Sequence, residues 1–140
     1  MNQTLILQPV VALFLLTVLV WVFMYARRLS FILANNVDPQ SLATPDQLNA
    51  GIPANINSAS HNLKNLFELP VVFYALCAFL LLSQQVDEVY LYAAWAFSGL
   101  RVLHSLIHCT VNIVTLRFAA YALSSLALWF MVVRLAWSVF

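Results

Sequence analysis

Four apolar stretches, each about twenty residues long, take up most of this chain, and each is long enough to cross a bilayer core about 30 Å thick as a helix. Inside lipid every backbone N–H and C=O must find its partner within the protein, which leaves only helices and closed barrels. Long strand-like alternation is absent, so the barrel is set aside. The sequence therefore predicts an all-α fold: an integral membrane four-helix up-down bundle forming a single domain over residues 1–140. Its helices are expected at about 4–30, 60–83, 89–112 and 115–139. Composition agrees, with 8% charged residues against roughly 25% in soluble domains. A net charge of +1 argues against a nucleic-acid surface.

The N-terminal apolar run from Leu5 to Tyr25 ends at Arg27-Arg28, not at a small-residue cleavage site, and lacks a preceding basic segment. It is expected to be a retained first helix and not a signal peptide. Between the first two spans lies a polar segment, about 35–60, holding Asp38-Pro39, Thr44-Pro45 and Gly51-Ile52-Pro53. That composition predicts a loop, longer than an ordinary helix connection. Arg27, Arg28, Lys64 and Arg117 flank this loop and the turn between the last two spans. The other connection carries Asp87 and Glu88, with Arg134 on the last helix. The positive-inside rule then puts the long loop in the cytoplasm and both termini outside. Cys77 and Cys109 fall inside predicted spans and are expected to pack as small apolar side chains.

Ionisable residues inside a span are costly and call for a reason. Arg101, His104, His108 and Asn112 follow one another at offsets of 0, 3, 7 and 11, which confines them to one stripe of the third helix. On the second helix the same arithmetic aligns His61, Asn65 and Glu68, and on the fourth Arg117 and Tyr121 stand one turn apart. With Arg27 from the first helix, all of these gather in the loop-side half of the bundle. A Glu68–Arg101 pair is expected to neutralise two of the charges. One carboxylate cannot also balance Arg27 and Arg117, so the surplus positive charge predicts an anionic ligand held by guanidinium contacts. His104 and His108 have metal-ligand spacing, but no acidic or cysteine partner completes a site and the arginines repel cations; no metal is expected.

Asn65-Leu-Phe-Glu68-Leu-Pro70, then Arg101-x-x-His104-x-x-x-His108, then Arg117-x-x-x-Tyr121 resemble the MAPEG family, the membrane-associated proteins in eicosanoid and glutathione metabolism. The similarity spans nearly the whole chain, looks closest to bacterial members, and in pocket residues resembles the microsomal prostaglandin E synthase branch. The resemblance implies a homotrimer in a bacterial inner membrane, with glutathione bound between subunits at the cytoplasmic end. It implies glutathione contacts for Arg27, Lys64, Asn65, Glu68, His104, His108, Arg117 and Tyr121. Arg101 falls at an arginine of the synthase branch, and Asp38 aligns with a loop aspartate implicated in catalysis.

Glutathione carries two carboxylates and one ammonium, which suits several arginines and a single glutamate. Arg117 is the expected catalytic residue: a guanidinium beside the sulfur favours the thiolate, which would attack an apolar small molecule or lipid arriving through the bilayer. This chain departs from the synthase branch at Phe118, where that branch has a serine, at Lys64 for an arginine and at His108 for a tyrosine. These departures disfavour prostaglandin isomerisation, and the reading is a glutathione-dependent transferase or peroxidase. Its rival is a non-catalytic lipid-binding scaffold of the same family. A small transporter fits less well, since the polar stripe stops in the loop-side half: above Arg101 the third helix offers only Ser98 and Gly99 to continue it.

Overall fold

A computed structural model describes residues 2–140 and contains no strand among them. After a 3-10 turn at Gln3–Ile6, the chain forms α1 (Leu7–Ala34), α2 (Pro45–Gly51), α3 (Ala54–Leu66), α4 (Leu69–Leu82), α5 (Glu88–Cys109) and α6 (Val114–Val139). The stretches Gln3–Ala34, Ala54–Leu82 and Val114–Val139 are long and apolar enough to span a membrane. At 22 residues, α5 measures about 33 Å, long enough to cross, but its charged and imidazole side chains make it less apolar than those three.

Each rod turns one narrow face inward. On α1 this is Pro9, Val10, Leu13, Leu16, Val20 and Met24, while Leu15, Val18 and Leu19 on the opposite side are exposed. On α6 it is Ala120, Ser124, Leu128 and Met131. Lipid tails are as apolar as leucine, so helix association here rests on close packing and interhelical polar contacts, which small residues on the inner faces permit. The Ser98 hydroxyl donates to the Pro9 carbonyl oxygen at 3.1 Å, stitching α5 to α1. At the end opposite the long loop, the Gln3 amide donates to the Val86 carbonyl at 3.1 Å and accepts from its N–H at 2.8 Å. There too Arg134 grips both Asp87 carboxylate oxygens, one at 2.7 Å.

Two expectations need correction. The second span is not one helix from residue 60: it starts at Ala54 and is interrupted at Phe67 and Glu68 before resuming at Leu69. Pro70 is the cause, because it lacks an N–H and its ring collides with the carbonyl four residues back, at Leu66. The long segment is not a plain loop either. Asp38 caps a 3-10 turn at Pro39–Leu42, and Thr44 opens α2 with a reciprocal capping box to Gln47 and Pro45 in the first helical position. These pieces are tied down by side-chain amides: Arg28 donates to Asn57 at 3.2 Å, and Asn57 to Asn49 at 2.8 Å.

Candidate functional site

The inner face of α5 runs Tyr90, Ala94, Phe97, Ser98, Arg101, His104, Ser105, His108. It begins apolar and turns polar halfway along, so the helical spacing read from the sequence places Arg101, His104 and His108 on one buried stripe. That stripe faces Tyr121 and Arg117 across the seam with α6. Arg101 is fully buried; its guanidinium carbon lies 4.5 Å from the centre of the Tyr121 ring and 5.3 Å from that of Phe97. Ring faces attract a cation, yet none of the three guanidinium nitrogens has a hydrogen-bond partner among the described residues.

His104 is held from both sides. Its Nδ1 lies 2.9 Å from the Arg117 carbonyl oxygen, and since a carbonyl only accepts, that nitrogen carries a proton and donates it. Asn65 Nδ2 lies 3.4 Å from Nε2 and donates to it in the neutral ring. One imidazole thus joins α3, α5 and the first turn of α6. His108 follows one turn later, its ring edge-on to His104 at 5.5 Å; it is buried, and its Nδ1 has no partner. Tyr121 completes the group, 5.8 Å from the His104 ring.

Arg117 is half-buried, and its guanidinium donates to Asn112 Oδ1 at 2.7 Å in an exposed hydrogen bond. Asn112 is not on the α5 stripe as expected: the helix ends at Cys109, and Asn112 sits in the following turn with φ 49°. The expected Glu68–Arg101 pair is absent too. The helix break turns Glu68 out to the exposed surface, and among the described residues the one ion pair is that of Arg134 with Asp87. The same break takes Glu68 off the face that His61 and Asn65 share on α3; of the two, Asn65 hydrogen-bonds into the cluster, while His61 is exposed beside it.

The remaining candidates lie around the cluster and not in it. Arg27 is half-buried, stacked 5.4 Å from the Phe23 ring, and lines an open groove of about 510 Å³ with Ser30, Asn35 and Asn55. Lys64 is exposed beside a groove of about 310 Å³ that it shares with Leu42, Thr44 and Leu48. Asp38 is exposed, and the hydrogen bonds of its carboxylate and carbonyl stay within the loop, to Gln40 and Ser41. Among the described residues no three His, Cys, Asp or Glu side chains converge as metal ligands.

One polar group was missed. Asn62 is fully buried; its oxygen accepts from Ser105 at 3.3 Å and its amide donates to Cys109 Sγ at 3.5 Å. Cys109 is consequently a half-buried acceptor instead of plain packing, whereas Cys77 is buried in the apolar core. Asn62 lies within the expected second helix, and its spacing of four residues from Ser58 and Leu66 was the available signal.

Residues 6–137 match the MAPEG family, and the chain belongs to it. No curated protein and no solved structure matches the chain.

Proposed function

We propose that this MAPEG-family protein is a glutathione-dependent membrane transferase or peroxidase that holds glutathione at the loop end of the bundle. The observation that carries the reading is the unbalanced charge of the α5–α6 seam. Arg101 and Arg117 stand there without a carboxylate partner, and four buried nitrogens of Arg101 and His108 have no hydrogen bond. Buried polar atoms of that kind are rare without a ligand or water to satisfy them. Glutathione supplies two carboxylates for the arginines and an ammonium for Glu68.

Arg117 would stabilise the thiolate, with its side chain aimed by Asn112 and its backbone by His104. Asn65, His104, His108 and Tyr121 would complete the wall on the α5–α6 side. Arg27, Lys64 and Glu68, turned outward in a single chain, suit a ligand shared with a neighbouring copy in a homotrimer, and exposed Asp38 would act from the loop. The electrophile, an apolar molecule or lipid, would come from the bilayer. We place the loop in the cytoplasm and both termini outside, in a bacterial inner membrane. Arg27, Arg28, Lys64 and Arg117 all lie at the loop end, whereas the one arginine at the other end is neutralised by Asp87.

Titrating glutathione into the detergent-solubilised chain while following thiolate absorbance tests this. Arg117→Ala is expected to lower thiolate formation and conjugation of an aryl halide by about 10²-fold; absence of glutathione binding at millimolar concentration would sink the reading. The scaffold alternative draws on the way the cluster closes on itself, through His104 to the Arg117 backbone and Arg117 to Asn112. It requires Arg117→Ala to disturb assembly with no turnover to lose.

A further inference from the structure

We propose that His108 is the catalytic base of this site, taking the thiol proton of bound glutathione; this rests on the glutathione reading above. Arg117 stabilises a thiolate but, already fully protonated, cannot receive the proton, so the proton needs another destination. His104 is excluded because both ring nitrogens are engaged, by the Arg117 carbonyl and by Asn65. His61 and Glu68 are exposed, and Asp38 is bonded within the loop.

His108 alone is a buried imidazole, 3% exposed, with an idle nitrogen. With its proton on Nε2, the partnerless Nδ1 carries a lone pair that can take a proton. The titratable and charged groups that face it are His104 on its own helix, His61 from α3 and Arg117 from α6. The resemblance sets a tyrosine at this position, whose hydroxyl is a far weaker base, so the assignment is particular to this chain.

The step balances. The S–H bond breaks and its electron pair stays on sulfur beside Arg117, while an N–H bond forms on His108. The thiolate then bonds to the electrophilic carbon, the leaving group departs with its electron pair, and the imidazolium returns its proton to water.

The full chain in detergent, with glutathione and the thiol-blocked S-methylglutathione as probes, decides the matter. His108→Gln and His108→Phe are expected to weaken S-methylglutathione binding much less than they weaken thiolate formation. Their thiolate signal at neutral pH should fall at least tenfold, consistent with the usual contribution of a general base, and its pH midpoint should move upward. An undiminished thiolate signal with the native midpoint overturns the proposal. A loss of S-methylglutathione binding as large as the loss of thiolate signal in folded variants also overturns it, by making His108 a binding contact and nothing more. A native-chain measurement stands apart from any variant: thiolate formation in weakly buffered solution should release no proton to an indicator dye, and release of one proton per thiolate overturns the role. If the native chain binds neither probe, the glutathione reading itself falls.

Discussion

Arg117 is fixed by two neighbours that act on different parts of it, His104 on the carbonyl and Asn112 on the guanidinium. Asn112 can do this because it occupies a left-handed backbone position, which asparagine tolerates better than most residues. Two substitutions separate backbone from side chain. Asn112→Gly keeps the turn and loses the latch, so its thermal midpoint in detergent should stay near native while thiolate formation weakens. Asn112→Ala loses the latch and strains the turn, and is expected to cost about 1 kcal/mol more, read as a lower midpoint. Equal midpoints for the two variants would count against the turn being what Asn112 supplies. Arg101, His104 and His108 were legible in the sequence because a helix converts spacing into a face with no further information. Asn112 shares that spacing but lies beyond the helix, and periodicity alone does not mark the last turn.

At the level of elements, the broken rod α3–α4 decides which polar groups join the cluster. The interruption at Phe67–Glu68 leaves Asn65 pointing at His104 and sends Glu68 outward. Pro70 was visible from the start, and its effect one turn upstream could have been read. The apolar run through it hid the break, since hydropathy is blind to backbone hydrogen bonds. The same blindness hid α2, whose Thr44-Pro45-Asp46-Gln47 start is a helix signal set among turn formers. Replacing the proline tests the element. Pro70→Ala restores an N–H and removes the ring clash, so a continuous helix becomes favourable by up to about 3 kcal/mol relative to proline. The expected outcome is a thermal midpoint equal to or above native together with at least tenfold weaker glutathione binding, as Glu68 and Asn65 are rotated apart from their present positions. Unchanged binding would mean that the break has no part in the site.

Across the whole molecule the two ends are built on opposite terms: unpaired positive charge at the loop end and satisfied pairing at the other. Such long-range partners as Asp87 with Arg134, Gln3 with Val86 and Asn62 with Ser105 were not legible, because periodicity assigns a residue to a face and says nothing about which face it meets. Asp87 does two tasks, capping α5 through the Tyr90 N–H at 2.9 Å and holding Arg134 of α6, whose guanidinium also lies 4.3 Å from the Tyr90 ring centre. The Arg134 hydrogen bonds lower the Asp87 pKa from 3.8 to about 2. A depressed carboxylate contributes stability that is fully present above the ordinary value and is lost as pH falls through the folded value, so the window runs from about pH 4 down to about pH 2. With the two side chains 35% and 46% exposed, solvent screening limits the contribution to roughly 0.5–1 kcal/mol. The thermal midpoint in detergent should therefore drop by a few degrees more for the native chain than for Asp87→Asn across that window. Asp87→Asn should sit correspondingly lower at neutral pH while keeping glutathione binding, because the pair lies at the end of the bundle opposite the site. An equal acid sensitivity of the two proteins would assign the acid transition to other carboxylates, and a loss of glutathione binding would mean that the two ends are coupled.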